Sequence, residues 1–362
     1  MPDRDVHPLP ATIEEIDSDW LTAALRTRAP GVTVRDCGIV DMKRGTCTKI
    51  RLRLYVDDAG KTAGIPETVI LKGGFEPHSR DMAIMHEREA RGYRDVFPLL
   101  KLPTPACYFA DYAADQQQGI VIMEDLAARS VIFCDPLQPH SHEQVARRLG
   151  VLARYHAQTW NSADFAAGGR WDWLEDVIAT TPKYYAPYLA PAPWERFVNA
   201  PRGAAVAKRF LDRDWIRDTF ARMLTLSRQV PQALVHGDTH LANLYWDSDG
   251  APGFFDSLPG RSPPMEEISY HVVCALDLAD RRRWEGALVR HYLNELARNG
   301  VANPPSFDDA MRQFGAFMAR GFIIFLFNES FFQDEAINTA YTARFSAAML
   351  DHDTRGLLGA IN

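Results

Sequence analysis

Leu234-Val-His-Gly-Asp-Thr-His-Leu-Ala-Asn-Leu-Tyr-Trp-Asp-Ser-Asp-Gly-Ala-Pro-Gly-Phe-Phe-Asp256 sets an acid, an amide and a second acid in a short apolar frame. Asp238 and Asn243 stand five positions apart, and Asp256 follows after Asp247-Ser-Asp-Gly250, whose composition marks a hairpin turn. The turn lacks the further ligands a calcium loop requires. A carboxylate can orient and deprotonate a hydroxyl, and an amide oxygen with a second carboxylate suits a hard cation. A rival reading takes His236, Asp238 and His240. Their every-second-residue spacing on one strand would project three ligands toward a transition metal.

Upstream, Glu67-Thr-Val-Ile-Leu-Lys72 is a β-branched strand ending in a lysine. The helix expected next, from about Ser79 to Val96, carries an apolar stripe of Met82, Met85, Tyr93 and Val96, with Glu89 inside it and Glu87 off it. A carboxylate on a buried face needs a cationic partner, because an unpaired buried charge is strongly destabilising. Lys72 is the nearest candidate. Earlier still, Asp17-Ser-Asp19 offers capping oxygens to a short helix at Trp20–Leu25, and Val34 to Val56 reads as two strands. In the second, Ile50, Leu52, Leu54 and Val56 alternate with Arg51, Arg53 and Tyr55. Between the strands, Lys43-Arg-Gly-Thr-Cys-Thr48 is either a plain turn or a loop that covers a phosphate, with Gly45, Thr46 and Thr48 turning N–H and hydroxyl groups to the anion. Leu102-Pro-Thr-Pro105 breaks the helical region and leads into a hairpin, whose second strand, Ile120 to Leu126, passes Met123 and Glu124 into a connector.

Beyond the connector the pattern turns helical. Ser141 to Trp160 reads as a long amphipathic helix with Val145, Leu149, Leu152 and His156 on one stripe, His156 being a core histidine. Thr181 to Arg202, rich in proline and aromatics, reads as an irregular insertion before helices resume near Ala204. Ile268–Leu278 and the segments from Arg281 to Leu357 are helical in pattern, and the phenylalanines from Phe314 to Phe332 read as core.

A chain of 362 residues, 46% hydrophobic and 24% charged, suits two lobes of a globular protein. The formal net charge of -7 argues against a nucleic-acid partner. Five widely spaced cysteines (Cys37, Cys47, Cys107, Cys134, Cys274) without a C-x-x-C pair suggest neither a disulfide framework nor a zinc cage. The start has no apolar core of a leader, and no run reaches the roughly 18 apolar residues of a membrane span. The expectation is a cytoplasmic protein without a membrane partner.

Phosphoryl transfer from ATP asks for a base, Mg²⁺ ligands and cations on the phosphates. Asp238 would be the base, Asn243 and Asp256 the metal ligands, and Lys72 the phosphate cation. His236-Gly-Asp-Thr-His-Leu-Ala-Asn243 with Phe254-Phe-Asp256 resembles the H-G-D-x-H-x-x-N and downstream Asp signature of the aminoglycoside phosphotransferase and choline kinase superfamily, which shares the protein-kinase-like fold. Glu89-Ala-Arg-Gly-Tyr93, Leu102-Pro-Thr-Pro105, Met123-Glu-Asp-Leu126 and Leu152 to Trp160 are most similar to its ecdysteroid-kinase-like branch. The resemblance implies that Asp238 is the base, that Asn243 and Asp256 hold Mg²⁺, that Lys72 pairs with Glu89 at the phosphates, and that His236 pins the loop.

It further implies an α+β fold: a nucleotide-binding lobe over 1–122 with a small antiparallel sheet and one key helix, a hinge at 123–127, and a mainly helical lobe over 128–362. Ser257, where an aromatic residue is usual, the single glycine of the nucleotide loop, and Glu267 as the later acidic residue depart from the family pattern. The reading is an ATP- and Mg²⁺-dependent transfer to the hydroxyl of a small, amphipathic or hydrophobic alcohol. Its alternatives are a non-catalytic nucleotide-binding protein and a metal-dependent hydrolase.

Overall fold

The computed structural model describes residues 8–361; Met1 to His7, where a leader would begin, and Asn362 lie outside the described residues. The chain divides into two units, 1–132 with 246–258, and 133–245 with 259–362.

In the first unit Asp17 caps α1 (Ser18–Arg26) by accepting the Trp20 N–H at 2.8 Å. The strands are β1 (Val34–Lys43), β2 (Thr48–Val56), β3 (Thr68–Gly73), β4 (Cys107–Ala113) and β5 (Gln118–Glu124), with α2 (Asp58–Thr62) and α3 (Ala83–Arg91) in the connections. They form one antiparallel sheet in the order β1-β2-β3-β5-β4. Alternation gives the sheet two apolar faces. Ile50, Leu52, Leu54, Val69, Leu71, Ile120 and Ile122 bury against Trp20, Leu21 and Leu25. Val121, Met123 and Ile70 face the other way and meet Ala90 and Tyr93. Gly119 permits the close approach of α3, because a Cβ there would lie 2.6 Å from the His86 backbone oxygen.

The single helix expected from Ser79 to Val96 is three segments: a 3-10 turn at Pro77–Met82, α3, and a π-helical turn at Gly92–Val96. Each change of pitch rotates the buried stripe. Tyr93, Val96 and Glu89 are buried as expected, while Met82 and Met85 are only half-buried and His86 and Ala90 take the inner positions. After β5 comes β6 (Ile132–Phe133).

The second unit is helical. Ser141 and Gln144 close a capping box at the start of α4 (His142–Ala157). The segment Thr181 to Arg202 is not irregular: α5 (Val177–Tyr185), α6 (Pro191–Val198) and α7 (Pro201–Ala204) run through it, joined by a 3-10 turn at Ala186–Leu189. Pro187, Pro191 and Pro201 start turns rather than break them, because the first positions of a helix need no N–H donor. Then follow α8 (Arg213–Ser227), β7 (Ala233–Val235), β8 (Leu244–Trp246), β9 (Pro252–Phe254) and β10 (Gly260–Ser262), the last paired antiparallel with β7. Trp246 onward to Leu258 belongs to the first unit.

α9 (Pro264–Ala275) starts at a proline, four residues before the expected Ile268, and every one of its residues is buried. Around it lie α10 (Leu278–Arg298), α11 (Phe307–Phe327), α12 (Glu335–Asp351) and α13 (Thr354–Gly359). Phe314, Phe317, Phe322, Phe325 and Phe327 are core, whereas Phe331 is exposed. By length and composition α11 is the one described helix that could cross a membrane, and 78% of its apolar window is buried inside the protein.

Candidate active site

In the first unit three charged side chains expected to work together do meet. Lys72 stands on the face of β3 turned to α3, where it pairs with Glu89, and both are buried. Lys72 Nζ also donates to Asp256 Oδ1 at 2.8 Å. Two long-range bonds hold the Asp256 segment to this unit: Phe254 N–H donates to the Pro103 carbonyl at 2.9 Å, and Arg88 donates to the Leu258 carbonyl at 2.6 Å. With the bonds from Lys72 and Lys49 to Asp256 they tie 246–258, which a lobe of 128–362 would include, to the first unit. Asp256 adopts the left-handed conformation (φ 52°), uncommon outside glycine and tolerated best by Asp and Asn.

The carboxylate of Asp256 has a second partner that sequence reasoning missed. Lys49 Nζ donates to its Oδ2 at 2.5 Å. Burial alone would raise the Asp256 carboxyl, but the ammonium groups of Lys49 and Lys72 hold it well below the usual carboxylate range. Burial works against the charge on Lys72 too, yet Asp256 and Glu89 keep its ammonium protonated far above the ordinary value.

The loop between β1 and β2 is tied inward. Thr48 is buried and its hydroxyl donates to Glu76 Oε1 at 3.0 Å, the oxygen that also receives Arg44 at 2.5 Å. His78 Nε2 donates to the Gly45 carbonyl at 2.9 Å, and Thr46 is half-buried. Met123 lies on β5 opposite Ile70 and Cys107, facing α3. Glu124 donates its N–H to the Ala106 carbonyl at 2.8 Å, and its carboxylate meets Arg129 at 3.1 Å.

In the second unit β7 ends at Val235 and the chain turns at Gly237, whose φ of 89° is open to glycine. The turn presents two successive N–H groups to Glu267 on α9: Gly237 at 2.7 Å and His236 at 3.2 Å. Glu267 also accepts from His156 Nε2 at 2.9 Å, and the other ring nitrogen of that histidine is hydrogen-bonded to the Tyr292 hydroxyl at 2.8 Å. Burial favours a neutral Glu267, but these donors depress its pKa and keep it ionised. The acidic residue of α9 is thus an anchor for the backbone before Asp238, and His156 is a core histidine as expected.

Asp238 is surrounded by donors. Tyr270 on α9 gives its phenolic hydrogen to Oδ1 at 2.9 Å, Asn243 Nδ2 donates to Oδ2 at 2.9 Å, and His240 Nε2 lies 3.5 Å from Oδ2. Burial pulls the Asp238 pKa up, and the two histidines and the tyrosine outweigh it, so the group sits below the ordinary value. Asn243 Nδ2 also donates to the Asp238 backbone carbonyl at 3.0 Å. Both amide hydrogens are then committed, and oxygen is the atom left with ligand chemistry. An amide oxygen at Asn243 and, in the first unit, a carboxylate at Asp256 are each hard donors of the kind Mg²⁺ takes.

The rival transition-metal set does not form. His236, Asp238 and His240 follow the end of β7 and lie in a turn, so alternation no longer applies. His236 Nδ1 accepts the Asp238 N–H and His240 Nδ1 accepts the Ala242 N–H, each at 3.2 Å. Among the described residues no three His, Cys, Asp or Glu side chains converge as a metal site would require.

Tyr270 was also missed, although it had a signal: it lies three residues after Glu267 on one helix, and such residues share a face. Lys49 had none, since it falls in the polar phase of β2 with Arg51 and Arg53.

The family model of the phosphotransferase enzyme family matches residues 78–302. No curated protein matches the chain. Among solved structures, a protein assigned as an aminoglycoside phosphotransferase from Ralstonia eutropha JMP134 is similar at 15% identity and a TM-score of 0.55, over 93% of this chain and 98% of its own. A choline kinase from Cryptosporidium parvum Iowa II is similar at 10% identity and a TM-score of 0.56, over 94% and 98%. Choline kinase LicA of Streptococcus pneumoniae, solved in complex with AMP, is similar at 12% identity and a TM-score of 0.51, over 92% and 98%. These likenesses show a kinase-like fold.

Proposed function

The chain belongs to the phosphotransferase enzyme family, and from that premise we propose that it moves the γ-phosphoryl group of ATP, with Mg²⁺, to a hydroxyl of a small molecule. The observation that carries the proposal is the setting of Asp238, an ionised carboxylate held by Tyr270, Asn243 and His240. Its depressed pKa makes it a weak base. That suits a reaction in which the residue orients the acceptor hydroxyl and takes its proton late, with little covalent work for the protein to do.

Asn243 and Asp256 would hold Mg²⁺, which when bound neutralises charge on the phosphates. Lys72, fixed by Glu89, would place a cation on the same groups. Gly45, Thr46 and Thr48 belong to the loop that would cover the phosphates, and Met123 and Glu124 to the strand that would meet the base. The AMP seen with LicA supports nucleotide use in this fold.

For the acceptor, the surroundings of Asp238 argue against a polycation. The neighbouring acid Glu266 is buried and tied to Arg320 at 2.6 Å, so it offers no free charge. Uncharged groups back the carboxylate instead: Tyr270, which donates to Asp238, is buried in a stack on Phe325 with centroids 5.6 Å apart, and Tyr341 lies 4.5 Å from Phe325. The acceptor is an amphipathic or hydrophobic alcohol.

The test is an ADP-release screen over alcohols that include choline, sugars, aminoglycosides and sterols, run beside Asp238→Ala. Acceptor-dependent ADP release that vanishes in the variant is the expected result. Nucleotide binding without acceptor-dependent release from any alcohol would instead favour a non-catalytic protein.

A further inference from the structure

Lys49 and Lys72 are direct cross-strand partners on β2 and β3. Partners in an antiparallel pair point to the same face, and like charges so placed repel. Lys72 is accounted for by Glu89. What accounts for Lys49 is Asp256, which divides its carboxylate between the two lysines: Oδ1 to Lys72 at 2.8 Å, Oδ2 to Lys49 at 2.5 Å. Two ammonium groups and two carboxylates balance.

The two lysines differ in freedom. The Lys72 side chain is 5% exposed and fastened to Glu89, whereas that of Lys49 is 38% exposed and reaches Asp256 from the rim. If a divalent cation takes the carboxylate, both ammonium groups cannot stay on it. The partner with slack is Lys49, a compact point charge on a flexible stem. Polyphosphate oxygens are the natural next acceptor for that charge.

Resting on the reading that Asp256 takes Mg²⁺ beside a nucleotide, we propose that Lys49 is a second phosphate-binding residue. It bonds Asp256 in the structure and would transfer to the phosphates of a nucleoside di- or triphosphate when a divalent cation takes that carboxylate. Lys49 therefore acts in two opposed ways: it attracts the nucleotide, and it competes with the metal for one carboxylate. A residue that merely braced the sheet would do neither.

The experiment is calorimetric titration of ADP across a series of Mg²⁺ concentrations, on wild type, Lys49→Gln and Lys49→Arg. Lys49→Gln is expected to bind Mg-ADP about tenfold more weakly, the effect of losing one charge-assisted contact. It is also expected to reach half its maximal ADP affinity at a lower Mg²⁺ concentration, with Lys49→Arg recovering most of the ADP affinity. In wild type, acylation of Lys49 followed by mass spectrometry gives a measurement independent of how the variants fold, and Mg-ADP should protect the residue. Wild-type binding with unaltered Lys49→Gln titrations, or Lys49 labelling unchanged by Mg-ADP, would overturn the assignment of Lys49 alone. A wild type that binds neither ADP nor ATP at any Mg²⁺ concentration would overturn the phosphotransfer reading and this inference with it.

Discussion

Tyr270 donates its phenolic hydrogen to Asp238 Oδ1 at 2.9 Å, and the Tyr270 hydroxyl is buried and held protonated far above the usual phenol range, by burial first and by Asp238 second. A phenol that cannot ionise is a permanent donor. It fixes one oxygen of the carboxylate, while Asn243 and His240 approach the other. The acid is therefore positioned from α9, whose burial on all sides leaves it little room to shift.

Removing the acid and removing its donor have different consequences. With Asp238 as the proposed base, Asp238→Ala should lower kcat by orders of magnitude with little change in ATP affinity, since a base acts chiefly in the transition state. Tyr270→Phe keeps the ring in its stack on Phe325 and deletes one hydrogen bond. A bond to a charged group contributes about 1.5–3 kcal/mol, so kcat should fall roughly 10- to 100-fold. Steady-state kinetics and ATP binding measured on both variants check this, and near-normal turnover in Asp238→Ala would remove it from the role of base.

Lys72 and Glu89 form a buried pair whose members depend on each other. Lys72→Ala should raise the ATP KM and lower kcat together, and it should destabilise the fold by about 3–5 kcal/mol, since it strands Glu89 without a partner. The double variant Lys72→Ala/Glu89→Ala should be less destabilised than the sum of the single ones. Denaturant titrations give the stabilities, and unchanged ATP kinetics in Lys72→Ala would refute its place on the phosphates.

Glu267 touches no reacting atom in this account, yet two backbone N–H groups before Asp238 and the ring of His156 converge on it. Glu267→Gln preserves the shape but removes the charge that those donors stabilise. A loss of about 2 kcal/mol in stability and about tenfold in kcat is expected, with KM for ATP unchanged, because the displaced element is the turn that carries Asp238, the proposed base. A fall in stability without any fall in kcat would confine Glu267 to packing.

How much of this could be read from the chain follows from the range of each signal. Asp238, Asn243 and Asp256 stand out by their short spacing, and the alternation of β3 puts Lys72 on the face that meets Glu89, so that pair was within reach of local patterning. The family match over residues 78–302 takes in Glu89, Asp238, Asn243 and Asp256 but not Lys72. Lys49 was hidden because its strand alternates correctly: its polar phase matches Arg51 and Arg53, and only pairing with β3 separates it from them. The prolines between Thr181 and Arg202 misled because the same residue starts a helix or breaks one according to its position. The tie of 246–258 to the first unit includes bonds to Pro103 and Arg88, contacts too distant in sequence to leave a periodic trace.

Two buried histidines make the second unit sensitive to acid. Burial, with Arg148 and Arg344 nearby, lowers His140 to about 4. His271 is lowered to about 3, by burial first, with the Thr239 carbonyl opposing and the Arg148 charge adding to it. Both are neutral when folded and titrate near 6.5 when unfolded, so below pH 6.5 the unfolded chain binds more protons. Stability is fully present above that pH and is lost as pH falls toward the folded values. Linkage puts the loss at pH 5 at about 2 kcal/mol for each histidine. His271 Nδ1–H donates to the Thr239 carbonyl at 2.9 Å, a bond that an asparagine amide can imitate. His271→Asn should therefore fold at pH 7 and show about 2 kcal/mol less destabilisation than wild type between pH 7 and pH 5. Denaturant melts at the two pH values measure it, and an equal loss in both proteins would mean that His271 takes up its proton in the folded state as readily as in the unfolded one.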